Sequence, residues 1–151
     1  MAEFKGVNDI LDFAIQNEQN AVEFYNDLAK TARTEDMRMT FELFAQEEIG
    51  HKARLMKIKE EGIFDLPNEK VADLKIADYV VRTESKADMS YEQTLILAMK
   101  REKAAFKLYI KLSEKAPTAQ LKQLFIGLAQ EESRHKLKFE LEYDEFVLRE
   151  N

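Results

Sequence analysis

The sequence predicts an all-α protein: a four-helix bundle built from two duplicated helical hairpins, running up-down-down-up with one long crossover. Three observations carry this expectation. Gly and Pro are scarce, 4 and 2 in 151 residues, so turns are few and helices dominate. Apolar residues recur at alternating spacings of three and four, the signature of one helix face. The pattern then repeats with a constant offset of 84 positions (102−18, 132−48, 135−51), so one hairpin is written twice.

The first predicted helix, roughly Val7 to Ala32, sets Leu11, Ala14, Glu18, Ala21, Tyr25, Leu28 and Ala32 along one seam. Its copy carries Leu95, Ala98, Glu102, Ala105, Tyr109, Leu112 and Ala116, identical at all seven positions. The second predicted helix, roughly Glu35 to Glu61, runs Met37, Phe41, Phe44, Glu48, His51, Leu55 and Ile58. Its copy runs Leu121, Phe125, Leu128, Glu132, His135, Phe139 and Glu142. Local chemistry agrees with these boundaries. Thr34 and Thr118 each suit the N-cap of a hairpin's second helix, Pro117 stops the helix before it, and Ser90-Tyr91-Glu92-Gln93 fits a capping box. Both hairpin turns are short, so each helix pair is antiparallel.

The organisation expected is therefore one domain over residues 1–151, with hairpins at 7–62 and 90–150 and a crossover at 63–89 containing Pro67-Asn68. At about 1.5 Å per residue each helix is a rod of roughly 40 Å, which the crossover can span. A loose tether between independent hairpins is the weaker alternative, because neither hairpin alone could bury its seam.

Composition narrows the function. A net charge of −6 without a Lys/Arg block argues against nucleic acid. The absence of cysteine excludes disulfides, thiolate zinc, iron–sulfur clusters and a rubredoxin-type iron centre within this sequence. No apolar run approaches membrane-span length and Met1-Ala2-Glu3-Phe4-Lys5 lacks a signal peptide's apolar stretch, so a soluble, cytoplasmic protein is expected.

The informative residues are the charged ones inside the seam. Glu18, Glu48, Glu102 and Glu132 occupy positions that the pattern otherwise gives to Leu, Phe and Ala. His51 and His135, the only two histidines, lie three residues after Glu48 and Glu132, so each pair projects from one helix face. All six sit near mid-helix and are expected to converge at half-height in the core. Uncompensated burial of four carboxylates costs several kcal/mol per ion, and no Lys or Arg shares the seam. Two divalent cations balance four carboxylates, and the carboxylate–imidazole donor set suits iron or manganese, with zinc also compatible. The bland reading of a single Glu-x-x-His is a hydrogen-bonded core pair; two copies with matched upstream glutamates favour a binuclear metal site.

Neighbouring residues leave alternatives open. Glu47 and Glu131, four before the histidines, can reach the same side. Tyr25 and Tyr109, two turns beyond Glu18 and Glu102, are either core aromatics or groups that orient a metal-bound carboxylate by hydrogen bonding. Ala21 and Ala105 leave room for an oxygen ligand or let helices pack closely. Phe13, Phe24, Phe41, Phe44, Phe106, Phe125 and Phe139 are expected to pack in the core or between helices, and the lysines of 52–59 to lie on solvated faces.

These residues resemble the ferritin-like di-iron carboxylate proteins, and most closely the rubrerythrin family. The ligand pattern, a Glu from each of two helices plus Glu-x-x-His from each of the other two, covers roughly residues 7 to 149. The Glu-x7-Tyr arrangement and the Gln-Glu-Glu-x-x-His strings at 46–51 and 130–135 are similar to rubrerythrin relatives too. The resemblance implies two iron ions per site, Glu48 and Glu132 bridging them, Glu18 with His51 completing one and Glu102 with His135 the other. It also implies an erythrin domain without the rubredoxin domain, supplied with electrons by a separate protein such as a rubredoxin. Rubrerythrin carries one more glutamate, a turn after the third-helix ligand; here that position is Ala105, leaving six ligands as in bacterioferritin-type centres.

Three functions follow as expectations. The first is an oxidoreductase that reduces peroxide or dioxygen by two electrons, a homodimer with no nucleic-acid or membrane partner. The second is a ferroxidase of an iron-handling shell, disfavoured because no short fifth helix follows the fourth. The third is a non-enzymatic bundle with a structural metal site, disfavoured because structural zinc takes closed Cys/His sites rather than acidic binuclear ones.

Overall fold

The structure, a computed structural model, describes residues 4–71, 74–81 and 88–150. Its elements are helices α1 (Val7–Lys30), α2 (Glu35–Glu61), α3 (Asn68–Val71), α4 (Tyr91–Lys115) and α5 (Ala119–Glu150), with a 3-10 turn at Ile76–Asp78. No strand occurs among the described residues. The chain divides into two compact units between Leu74 and Lys75, inside the expected crossover.

In the first unit α1 and α2 pack along each other. α1 ends at Lys30, two residues before the expected Ala32, where the Thr31 hydroxyl donates to the Leu28 carbonyl at 3.3 Å. α2 opens on Thr34, whose hydroxyl accepts from the Met37 N–H at 3.1 Å. It closes on Gly62 at φ 65°, a left-handed conformation that costs glycine nothing. Ile10, Leu11, Ala14, Tyr25 and Leu28 of α1 and Phe41, Phe44, Leu55 and Ile58 of α2 are buried. Each large side chain fully removed from water contributes about 1.5–3 kcal/mol.

Two contacts tie the helices outside that apolar seam. Lys52 Nζ donates to Gln19 Oε1 at 2.8 Å, and Lys59 Nζ reaches Asp12 Oδ1 at 2.6 Å. The expectation that the lysines of 52–59 lie on solvated faces is corrected for Lys52, which is half-buried; Lys59 is exposed, its long stem carrying the ammonium across to α1. Lys57 keeps the expected exposure.

Beyond α2 the chain buries Phe64, Val71 and Leu74, with α3 a single turn. Residues 72–73 and 82–87 of the expected crossover lie outside the described residues.

In the second unit α4 and α5 pack along each other. The capping box is present in full: the Ser90 hydroxyl accepts from Gln93 N–H at 3.1 Å, and Gln93 Oε1 accepts from Ser90 N–H at 2.9 Å. Ala116 turns extended (ψ 132°) before Pro117, and the Thr118 hydroxyl accepts from Leu121 N–H at 3.2 Å, opening α5. Leu95, Ala98, Tyr109, Leu112, Phe125, Leu128 and Phe139 are buried.

Phe24, Phe41, Phe44, Phe125 and Phe139 are core residues, and Phe13 meets Phe4 edge-on at 5.4 Å. Phe106 departs from expectation: it is 36% exposed. At about 100° per residue it points roughly 40° past Glu102, just beyond the rim of α4's buried stripe. Among the described residues no helix is long and apolar enough to cross a membrane.

Candidate metal centre

The heptad-like spacing of α1 and α2 decides which carboxylates enter the core of the first unit. Glu18 and Glu48 fall on the buried faces of their helices, and His51 follows Glu48 by one turn. Their exposures are 2%, 0% and 1%, against the strong preference of carboxylates for water. Glu47, which competed with Glu48 for the position, is only half-buried.

The three side chains converge. One ligand atom from each of Glu18, Glu48 and His51 lies within 4.8 Å of the others. His51 Nδ1 stands 3.4 Å from Glu18 Oε2 and 3.7 Å from Glu48 Oε2. Two donors at those separations, each about 2.1 Å from a shared ion, would subtend roughly 110–125°, a normal ligand–metal–ligand angle. Carboxylate oxygen and imidazole nitrogen are also the donor types that first-row divalent metals take. The residues therefore fit a metal ion.

The second unit repeats the arrangement through the duplicated sequence. Glu102, Glu132 and His135 are 1%, 2% and 0% exposed, and one ligand atom from each lies within 4.8 Å of the others. His135 Nδ1 is 3.7 Å from Glu102 Oε1. Glu131 is half-buried, as Glu47 is. All six residues singled out in the sequence are thus buried and grouped, three in each unit.

Tyr25 and Tyr109 are each 1% exposed. Tyr25 packs edge-on against Phe24 and Phe44, with ring centroids 5.7 and 6.1 Å apart. Tyr109 stacks on Phe125 at 6.5 Å and 13°. Ala21 and Ala105, one turn after Glu18 and Glu102, are half-buried.

One further buried carboxylate has no counterpart in the first unit. Glu142, 4% exposed, stands two turns beyond His135 at the position equivalent to Ile58, and accepts a hydrogen bond from the Tyr91 hydroxyl at 2.8 Å. Its place in the seam was the available signal; its partner, 51 positions away, was not readable from the sequence. Arg101, next to Glu102, is half-buried, and burial lowers its guanidinium pKa.

Comparison with known proteins supplies one finding. The family model described as rubrerythrin matches residues 9–143. The curated proteins and the solved structures compared with the chain give no match.

Proposed function

Since the chain belongs to the rubrerythrin family, whose fold is the ferritin-like helical bundle, we propose that it is a binuclear non-haem iron protein that reduces peroxide or dioxygen by two electrons. The proposed ligands are Glu18, Glu48, His51, Glu102, Glu132 and His135. Glu18 and His51 would hold one ion and Glu102 and His135 the other, with Glu48 and Glu132 as the further carboxylates of the set.

One observation carries most of this reading: each hairpin buries two carboxylates and an imidazole at no more than 2% exposure. Groups so costly to desolvate persist where a function requires them. The four glutamates bring four negative charges, which two divalent ions balance, and the neutral imidazoles add donors without adding charge. Iron is proposed over manganese or zinc because the family's chemistry is redox chemistry.

When bound, the iron pair supplies two electrons to the O–O bond, so that H2O2, two electrons and two protons become two waters. The chain's own part is to hold the ligands and keep bulk water out. Tyr25 and Tyr109, buried two turns from Glu18 and Glu102, are proposed to orient those carboxylates. The electrons are proposed to come from a donor such as a rubredoxin, as the family's chemistry suggests.

Rapid mixing of the anaerobically reduced, iron-loaded protein with H2O2 and with O2 tests the reading. Faster oxidation by H2O2 supports it; equal or slower oxidation by H2O2 refutes peroxide reduction. Ala105 favours ferroxidase activity as the second reading, because it stands where rubrerythrin has an additional glutamate and leaves a bacterioferritin-like set of six. Several Fe(II) ions oxidised per site in successive turnovers would select it.

A further inference from the structure

The duplicated helices α1 and α4 agree along their buried seams and differ on their outward faces. Lys100, Lys103, Lys107 and Lys111 follow one another along α4 at spacings of three, four and four, and all four are exposed. They lie about 100–180° round the helix axis from Glu102, on the side away from the ligand seam. The equivalent residues of α1, 84 positions earlier, are Gln16, Gln19, Glu23 and Asp27. One copy is neutral to acidic there and the other is basic at every position.

Neighbouring acids do not balance this stripe. Helix cations elsewhere commonly meet a carboxylate one turn away, as Arg38 meets Glu35 and Glu42, Lys57 meets Glu61 and Arg149 meets Glu145. On the α4 stripe only Lys111 does so, 3.4 Å from Glu114. Lys100, Lys103 and Lys107 have no carboxylate partner among the described residues. They repel one another at i,i+3 and i,i+4, an arrangement that destabilises a helix. Since Glu102 lies beside His135 and Tyr91 beside Glu142, the stripe runs level with residues 119–135 of α5. That stretch holds Lys122 and Arg134, and its two acids are the half-buried Glu131 and the buried Glu132.

The two units differ in the same sense. Residues 1–74 carry 9 basic against 16 acidic residues, and residues 75–151 carry 14 against 13. The chain's net charge of −6 therefore belongs to the first unit. At physiological ionic strength the Debye length is about 8 Å, so a partner at the outward face of α4 senses its lysines rather than the net charge.

We infer, resting on the function proposed above, that the outward face of α4 docks an acidic one-electron redox protein, the donor that the two-electron reaction requires. A protein seated on the stripe is separated from the ligand seam by a single helix, about 10–12 Å across. The stripe is about 17 Å long, which suits the small interfaces of transient redox complexes. Phe106, 36% exposed and next to Lys107, adds an apolar contact at the edge of the basic face. Each encounter passes one electron, oxidising the donor's own centre and reducing one iron from Fe(III) to Fe(II). Two encounters supply the two electrons consumed.

An acidic rubredoxin serves as the probe. Calorimetric titration of the oxidised probe into the protein as isolated is expected to show binding that Lys100→Glu/Lys103→Glu/Lys107→Glu weakens at least about tenfold and that about 1 M salt abolishes. In stopped flow, reduction of the oxidised, iron-loaded protein by the reduced probe is expected to slow by a similar factor. Reduction by dihydrophenazine, small and uncharged, is expected to keep its rate, and circular dichroism and iron content to stay unchanged. Arg54→Glu/Lys57→Glu/Lys70→Glu makes the same change in net charge on the first unit and is expected to cost less than about threefold. Gln at positions 100, 103 and 107 is expected to fall between wild type and the Glu variant. A Glu variant that binds the probe and is reduced as wild type is would overturn the docking face. So would an equal loss in the first-unit control, or binding to phosphatidylserine vesicles without binding to the probe. A wild type that neither reductant reduces would overturn the redox reading instead, the titration still deciding the face.

Discussion

Glu48→Leu is expected to make the metal-free protein more stable while removing its response to metal. Glu48 is 0% exposed, and its Oε2 stands 3.7 Å from His51 Nδ1, with Glu18 Oε2 3.4 Å from the same nitrogen. Two carboxylates gathered out of water beside one imidazole are costly to bury without a cation. Replacing a whole buried ion pair or triad with apolar side chains of similar volume commonly stabilises by about 1–4 kcal/mol, and relieving the like-charged Glu18–Glu48 pair while leaving Glu18 beside His51 is expected to gain the lower part of that, about 1–2 kcal/mol. For a chain of this size each kcal/mol moves Tm by about 2–4 °C, so a gain of about 1–2 kcal/mol is a rise of roughly 2–8 °C. With metal present the order reverses. A ligand at 100 times its Kd adds about 2.7 kcal/mol to the wild type, and the variant forfeits most of it. Differential scanning calorimetry in EDTA, and anaerobically with Fe(II) or Mn(II), measures both terms. A variant that melts below wild type in EDTA would show Glu48 to be a net stabilising core group rather than a ligand held at a cost.

Gly127→Ala in α5 is expected to stabilise by about 0.5–1 kcal/mol, because a Cβ there meets nothing within 4 Å and alanine suits a helix interior; urea denaturation measures it, and a loss of stability would contradict the open space described. Arg38→Ala acts on an exposed pair: the Arg38 guanidinium bonds Glu35 and holds its carboxyl below the usual glutamate range. A depressed carboxyl contributes stability above its unfolded pKa and loses it as pH falls through the folded one. In Arg38→Ala the Glu35 titration, followed by NMR, is expected to shift upward, so that the contribution vanishes; an unmoved midpoint would show that Arg38 is not the cause.

Much of this molecule was legible in its sequence because the deciding chemistry is local or periodic. Thr34, Thr118 and the Ser90/Gln93 box cap the helices the sequence assigned to them, since a cap needs only residues three positions apart. The three-four seam separated Glu48 from Glu47 and Glu132 from Glu131, because helix phase alone decides which neighbour turns inward. Where a distant partner decides, the sequence was silent. The burial of Phe64, Val71, Leu74 and Tyr79 follows from tertiary packing of short, weakly periodic segments. Glu142 is buried by virtue of Tyr91, 51 positions away. Phe106 was misplaced because a residue at the edge of a stripe is assigned by tens of degrees, finer than residue type can resolve.

Anaerobic titration of the metal-free protein with Fe(II), counting bound iron per chain alongside Glu48→Gln, decides whether the six buried Glu and His side chains hold two metal ions. Saturation near two is expected in the wild type, as two divalent ions balance four carboxylates, with loss of that stoichiometry in the variant. No stoichiometric binding, or binding unaffected by Glu48→Gln, would contradict it.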